Sequence, residues 1–86
     1  MTAQDDLNRQ IRAYAALHGY KTVERSGKAV LPASGGGGWW TKDEFGWAFY
    51  DDLGALLWHN GENSALLLME GGDGLPRWAT VRRVKG

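Results

Sequence analysis

The sequence predicts an α+β fold, with one N-terminal helix packed on an antiparallel, mostly meander β-sheet of about five or six strands. An apolar stripe with helical spacing lies near the N-terminus, and short segments with the period of a strand follow it. Turn-forming pairs, Ser26-Gly27 and Asn60-Gly61 among them, separate these segments and favour hairpins, which join antiparallel neighbours.

At 86 residues the chain has the length of a single domain, which we expect to span residues 1–86. A helix and a hairpin occupy 1–33, a glycine-rich loop occupies 34–38, and a C-terminal meander occupies 39–86. The glycine run is not interpreted as a linker between two domains, because neither side of it is long enough to bury an independent core.

The helix is predicted over residues 3–18. Its apolar residues recur at steps of three and four, and they are Leu7, Ile11, Tyr14 and either Leu17 or His18. Thr2 is a suitable N-cap, and Gly19 is a typical stop signal. Asp5 lies in the first turn, where the helix dipole favours acids, and it is spaced for an ion pair with Arg9.

Two strands are predicted next, at residues 20–25 and 28–31. Ser26-Gly27 lies between them and suits a two-residue hairpin turn. Pro32 has no backbone N–H to donate, so it either ends the second strand or places that strand at a sheet edge.

The glycine run at 35–38 is followed directly by Trp39 and Trp40. Some glycine-rich loops bind phosphate, but this run lacks both the Gly-Lys-Ser/Thr ending and the spaced glycines of the known patterns. We therefore predict an internal connection. Since neighbouring residues of an extended chain point to opposite sides, one tryptophan should dock in the core and the other face outward.

Residues 41–59 fit either a helix or two strands. The spacing of Thr41 and Glu44 has the form of a capping box, which favours a helix. Against it, two glycines lie inside the segment, and Asp52 falls in the middle of the helix's apolar face.

The strand alternative explains the pattern better, and we predict strands. One strand then carries its aromatic residues on a single core-facing side, namely Phe45, Trp47 and Phe49. Residues 51–54 fit a type I turn with glycine in the bulge position, and 55–59 form the return strand.

The rest of the chain is predicted to continue the meander. Asn60-Gly61 is a strong two-residue hairpin signal, and residues 63–70 form a central strand covered on both faces. Within it, the apolar run 66–69 should supply a sheet face for the helix. Residues 71–74 form another turn, and residues 75–84 form the closing strand.

The residue content argues against catalysis, metal binding and cofactor use. The chain has no cysteine, which excludes disulfides, a thiol nucleophile and cysteine-bound zinc. No signal-peptide pattern or membrane-spanning run is present, so we expect a cytoplasmic protein. We interpret Asp51-Asp52 as a solvated turn, not a cation site, and His59 beside Glu62 as a polar residue, not a catalytic base. We therefore predict a non-enzyme without metal or cofactor.

The five tryptophans are the strongest functional signal. Tryptophan is enriched among the residues that anchor protein interfaces, and a flexible loop beside two of them would adapt to a partner. In the alternative, both tryptophans only pin the loop to the sheet. We predict a protein-interaction module, an inhibitor or accessory regulator that docks on a larger protein. Its predicted partner-binding residues are Trp39, Trp40, Lys42, Asp51 and Asp52.

Two other functions are kept as alternatives. The formal net charge is zero, but the C-terminal segment is basic, and a nucleic-acid-binding module would use Arg77, Trp78, Arg82, Arg83 and Lys85. The zero net charge weakens this alternative, because such domains are usually basic overall. The second alternative is a structural subunit that assembles by pairing of sheet edges. A chain of this size is typical of accessory proteins of bacteria or their viruses, an expectation from length alone.

Overall fold

The computed structural model describes residues 2–35, 38–60, Met69 and 80–84. Within them, one helix is followed by a five-stranded antiparallel sheet. The elements are α1 (Ala3–His18), β1 (Val23–Arg25), β2 (Lys28–Pro32), β3 (Gly38–Asp43), β4 (Gly46–Asp51) and β5 (Leu56–Asn60). The strand order is β1-β2-β3-β4-β5, so each strand pairs with the next one in the chain. This confirms the predicted α+β fold and its meander sheet.

The ends of α1 are fixed by local hydrogen bonds. The Thr2 hydroxyl accepts from the Asp5 amide, and the Asp5 carboxylate accepts from the Thr2 amide, which together form a capping box. Gly19 ends the helix in the left-handed region with φ of 74°. Both predicted signals are confirmed. Arg9 forms an exposed ion pair with Asp6 at 3.8 Å.

The face of α1 that packs on the sheet is centred on the fully buried Ile11. Of the two residues proposed to end the stripe, His18 packs and Leu17 does not, since Leu17 is 79% exposed. The His18 ring lies 4.4 Å from the Tyr14 ring and 5.6 Å from the Tyr20 ring, measured between centroids. An aromatic group therefore closes the C-terminal end of the helix interface.

One polar side chain lies on this buried face. Asn8 is 6% exposed, its Oδ1 accepts from the Ala29 amide at 2.9 Å, and its Nδ2 donates to the Gly27 carbonyl at 2.9 Å. The Gln4 side chain also donates to Oδ1, at 2.8 Å. Because both polar atoms of the Asn8 side chain are satisfied, its burial is compatible with a stable core. These bonds attach α1 to the hairpin of β1 and β2.

The turn between β1 and β2 has the predicted two-residue form. Ser26 and Gly27 both have positive φ, 51° and 78°, which matches a type I′ turn. β2 ends at Pro32, as predicted. The first strand is shorter than predicted, because β1 begins only at Val23, and Tyr20 instead forms an isolated bridge with Arg83.

β3 begins at Gly38, the last glycine of the run predicted as loop 34–38. A Cβ atom at this position would collide with the carbonyl oxygen of Tyr50 on β4. This glycine is therefore required for the close approach of two strands, not for flexibility. β3 itself was not predicted as a strand.

Residues 46–60 form two strands, so the helix alternative for 41–59 is wrong and the strand prediction is confirmed. The Gly54 amide donates to the Asp51 carbonyl at 3.0 Å, and Gly54 has φ of 88°, as the predicted turn requires. The placement of Phe45 in the core is wrong. It lies in the β3–β4 turn and is 74% exposed, because β4 begins one residue later.

The core lies between α1 and the sheet face that carries Trp40. The buried members of the cluster on this side are Ile11, Ala15, Tyr20, Ala29, Leu31, Ala33, Trp40, Trp47, Phe49, Met69 and Val81. The Trp40 ring packs against Phe49 at 5.2 Å and edge-on against Trp58 at 5.3 Å. Aromatic packing therefore supplies the centre of a small core.

The C-terminal predictions are only partly within the described residues. In 80–84, Val81 bridges Ala33 and Arg83 bridges Tyr20. The predicted strand is wrong there, since two separate partners divide the segment into isolated bridges. Of the predicted strand 63–70, only Met69 is described. It is helical and buried, so the strand is wrong at that residue. An apolar run fits a buried helix as well as a central strand. Residues 61–68 and 70–79, including the predicted turn at 71–74, lie outside the described residues.

Candidate functional site

The two adjacent tryptophans of β3 lie on opposite faces of the sheet. Trp40 pairs with Leu31 and Phe49 in the register and is fully buried beneath α1. Trp39 pairs with Tyr50 on the other face, which we call the outer face, and remains partly exposed. This is the expected division, with Trp40 as the anchor and Trp39 facing outward.

A groove of about 390 Å³ lies on the outer face between the β1–β2 turn and the β4–β5 turn. We call it the outer groove. Its lining residues are Arg25, Ser26, Lys28, Val30, Trp39, Thr41, Tyr50, Asp52, Leu53 and Gly54. Val30 is buried at its floor, although it points away from α1. The groove is thus an apolar depression with polar edges, the usual form of a recognition site.

The Trp39 side chain is held between two neighbours. The Arg25 guanidinium lies 3.9 Å from the Trp39 ring centroid, in cation–π geometry. The Tyr50 ring lies 6.0 Å away at an interplanar angle of 17°. Because β1 and β4 are on opposite sides of β3, Arg25 approaches from one side and Tyr50 from the other. The indole is therefore fixed in place, although part of it remains exposed.

The two edges of the outer groove differ in charge. Arg25 and Lys28 flank the β1–β2 turn and make that edge basic. The opposite edge carries Asp52 and Leu53, and Leu53 is 90% exposed. A ligand in the groove would therefore meet cations on one side, and an acid with an exposed apolar residue on the other.

The Asp51 carboxylate fixes the turn that carries this second edge. Its Oδ1 accepts from the Leu53 amide at 3.0 Å and from the Ala55 amide at 2.8 Å. A side chain that bonds its own turn in this way restrains the backbone. The exposure of Leu53 is therefore a property of an ordered turn.

The predicted partner-binding residues do not all meet at one surface. Trp39 and Asp52 line the outer groove, and Asp51 supports it from below. Trp40 is a core residue with no exposed surface. Lys42 lies on the α1 side of the sheet, with its Nζ 5.8 Å from the Trp47 ring centroid.

Sequence analysis missed eight of the ten residues that line the outer groove, among them Arg25, Lys28, Tyr50 and Leu53. A usable signal existed for two of them. Arg25 and Lys28 flank the Ser26-Gly27 turn, and a two-residue hairpin makes the flanking residues a cross-strand pair on one face. The contact between Arg25 and Trp39 spans β2 and could not be predicted from the sequence, because it depends on the β2–β3 register.

A second cleft, of about 670 Å³, lies between the start of α1 and the β3–β4 turn. Its lining residues are Ala3, Asp6, Leu7, Gln10, Lys42, Asp43, Glu44, Phe45 and Gly46. It brings exposed acids beside the exposed Phe45 ring, and Lys42 belongs to this cleft rather than to the outer groove.

Asp43 fixes the β3–β4 turn. Its Oδ1 accepts from the Phe45 amide at 2.8 Å and the Gly46 amide at 3.0 Å, and its Oδ2 lies 2.9 Å from Nε2 of His59. Burial alone would raise the pKa of Asp43, but the hydrogen bonds from Phe45, His59 and Gly46 and the attraction of His59 together lower the pKa below its ordinary value. His59 is thus paired with Asp43; Glu62, its expected partner, lies outside the described residues.

The residues of the nucleic-acid alternative are only partly described. Arg82 and Arg83 lie in the bridging segment 80–84, whereas Arg77, Trp78 and Lys85 lie outside the described residues. Arg83 donates to the His18 carbonyl at 3.1 Å, and its guanidinium lies 5.0 Å from the Tyr20 ring centroid. Arg83 therefore uses one of its N–H donors to bind the C-terminal end of α1.

We compared the chain with protein families, with curated proteins and with solved structures, and none of these comparisons found a match. In the part of the chain that the structure describes, three or more His, Cys, Asp or Glu side chains nowhere gather as a metal site would require. Over the same residues, no helix has the length and apolar character needed to cross a membrane.

Proposed function

We propose that this chain is a small protein-interaction module, an inhibitor or accessory regulator that docks on a larger protein and binds an extended segment of it in the outer groove. The observation that carries the proposal is the Trp39 indole, held partly exposed between Arg25 and Tyr50. An aromatic anchor that is already ordered loses little conformational entropy on binding. Tryptophan, tyrosine and arginine are also the residues most enriched among interface hot spots.

The lining of the outer groove specifies the chemistry of the partner segment. An apolar side chain would pack over Val30 and Trp39, and an acidic side chain next to it would meet Arg25 and Lys28. A basic side chain directed toward the opposite edge would meet Asp52. Because the two edges differ in charge, the segment would bind in one direction only.

The same geometry favours a protein over a nucleic acid as the ligand of this groove. A base needs the open face of an aromatic ring for stacking. Arg25 already covers one face of the Trp39 ring, and Asp52 would repel a phosphate. The nucleic-acid module built on Arg82 and Arg83 and the subunit that pairs by its sheet edges stay predictions.

The test is selection from a displayed library of random peptides on the immobilised wild-type chain. We expect the bound peptides to share an acidic residue next to an aromatic or branched aliphatic residue. Each selected peptide is then measured against Leu53→Asp and against Leu17→Asp as a matched control. Both leucines are highly exposed, at 90% and 79%, but only Leu53 borders the groove, so both variants should fold.

The proposal expects Leu53→Asp and Arg25→Ala to weaken binding by about tenfold or more, and Leu17→Asp to leave it unchanged. Amide chemical shifts of the wild type should move at Trp39, Thr41 and Tyr50 when a peptide is added. If the selected peptides bind Leu53→Asp and Arg25→Ala as tightly as they bind the wild type, the groove is not the site. If only single-stranded oligonucleotides bind and shift these amides, the module is not a protein-binding one.

A further inference from the structure

A third pocket, of about 640 Å³, lies where the C-terminal segment crosses the chain, and we call it the basic pocket. Its lining residues are Lys21, Ser34, Val81, Arg82, Arg83 and Val84. Among the lining residues that the structure describes, three are cations and none is an acid. Such a local excess of positive charge is notable in a chain whose formal net charge is zero.

The backbone around the basic pocket is fixed by hydrogen bonds between segments that are distant in sequence. The Lys21 amide donates to the Arg82 carbonyl at 2.7 Å, and the Arg82 amide donates to the Pro32 carbonyl at 3.0 Å. The Ser34 amide donates to the Thr80 carbonyl at 2.6 Å. Lys21, Ser34 and Arg82 are therefore held beside one another by the fold.

The charges at the basic pocket are not neutralised within the described residues. The side chains of Lys21 and Arg82 form no ion pair with any described acid, and both are exposed. Arg83 is partly engaged by the His18 carbonyl. Lys21 and Arg82 are therefore the two cations of the pocket that we expect to bind an anionic ligand.

Hydroxyl groups complete the set of donors. The Ser34 hydroxyl lies 2.9 Å from that of Thr80, and either can be the donor. When Ser34 accepts this bond, its own hydrogen is available to a ligand in the pocket. A guanidinium, an ammonium and a hydroxyl around one space are typical of sites that bind phosphate oxygens.

We propose that the basic pocket binds a phosphate group, with Lys21 and Arg82 as its charged ligands and Ser34 as a neutral donor. A phosphate suits the site better than a carboxylate, because it presents three oxygens to donors that converge from three segments. The proposal does not depend on the outer groove, which is lined by other residues. The phosphate could belong to a small phosphomonoester or to the backbone of a nucleic acid, and the experiment separates these sources.

The experiment is a titration of the isotope-labelled full chain, followed by amide chemical shifts. The probes are inorganic phosphate, adenosine 5′-monophosphate, adenosine as the uncharged match, and a single-stranded oligothymidylate. We expect saturable shifts at Lys21, Ser34 and 80–84 with every phosphate-containing probe, and none with adenosine. Tighter binding of the oligonucleotide than of the monophosphate would assign the site to a nucleic-acid backbone, and equal binding would assign it to a small phosphate ester.

The variant for this titration is Lys21→Gln with Arg82→Gln, which removes two charges and keeps the side chains long. We expect it to weaken phosphate binding by about tenfold or more, since each lost contact is a charged hydrogen bond. The matched control is Arg9→Gln with Arg12→Gln, which removes the same charge from the exposed side of α1 and should bind as the wild type does.

Three results would overturn the proposal. The first is the absence of localised shifts in the wild type with any phosphate probe, which requires no variant. The second is an equal loss of binding in the two double variants, because the effect would then come from net charge alone. The third is an equal response to adenosine and to its monophosphate, since no phosphate group would then be recognised.

Discussion

The two faces of the sheet hold their central tryptophans by different means, although Trp39 and Trp40 are adjacent in the chain. On the face toward α1, Trp40 is fully buried and packs on Phe49 and Trp58. On the outer face, Trp39 is partly exposed and is held by Arg25 and Tyr50. The first arrangement contributes to stability through burial, and the second orders a side chain without removing it from solvent. A surface organised in the second way can change for recognition while the fold is kept.

The largest effect is expected from Trp40→Ala. Truncation of a buried tryptophan costs about 3–5 kcal/mol, which is most of the stability of a small domain. The variant should therefore be largely unfolded at 25 °C, as measured by near-ultraviolet circular dichroism and urea denaturation. Trp40→Phe should recover much of the loss, because it keeps an aromatic ring against Phe49.

Trp39→Ala is the matched control for this comparison. It removes an identical side chain one residue away, but loses only an exposed cation–π contact and part of a stack, about 1 kcal/mol. The variant should remain folded. If both alanine variants lose the same free energy of unfolding, the distinction between the two faces is wrong.

A smaller loss is expected from Asn8→Ala, which tests the polar contact on the core side. The substitution leaves the buried Ala29 amide and the Gly27 carbonyl without their partner, at a cost of about 2 kcal/mol. Urea denaturation measures the loss, and hydrogen exchange at the Ala29 amide should accelerate most. Gln4→Ala, which removes only a less buried donor to Asn8, should cost less than half as much.

Local signals in the sequence were enough to predict the helix ends and two of the described turns, Ser26-Gly27 and 51–54. The Thr2 cap, the Gly19 stop and the Ser26-Gly27 turn each depend on the conformational preferences of one or two residues. Burial was predictable where apolar periodicity was clear, as at Ile11. The strands of 46–60 were also predicted, since aromatic alternation and the turn before Gly54 pointed to the same answer.

The features that could not be predicted from the sequence depend on contacts between distant segments. β3 was missed because Gly38, its first residue, was interpreted as part of a flexible loop. The structure requires a glycine there because the Tyr50 backbone lies too close for a side chain. Asn8 was missed because its partners lie about twenty residues away in a hairpin. The Arg25 contact with Trp39 requires the register of three strands. The outer groove is therefore a product of tertiary structure, even though Trp39 was identified from the sequence.

The smallest effect concerns Asp43 at low pH; in the register of β3 this residue lies on the same face of the sheet as Trp39. The folded-state pKa of Asp43 is lowered, so its carboxylate form stabilises the fold. This stabilisation is fully present above the ordinary Asp pKa of about 3.9 and is lost as the pH falls through the lowered folded-state pKa. Because the Asp43 side chain is 45% exposed, water screens the interaction. We therefore expect the carboxylate form to raise the free energy of unfolding by less than about 1 kcal/mol.

The measurement is the free energy of unfolding of wild type and Asp43→Asn, from about pH 6 to about pH 2.5, spanning the ordinary Asp pKa. The difference between them should be largest near the top of this range and shrink toward its lower end, as the wild-type carboxylate becomes protonated. Asp52→Asn removes the same charge from an exposed turn and should show a smaller difference throughout. A difference for Asp43→Asn that stays constant with pH would mean that the turn depends on side-chain shape alone, and the outer face would then be as indifferent to pH as the core around Trp40.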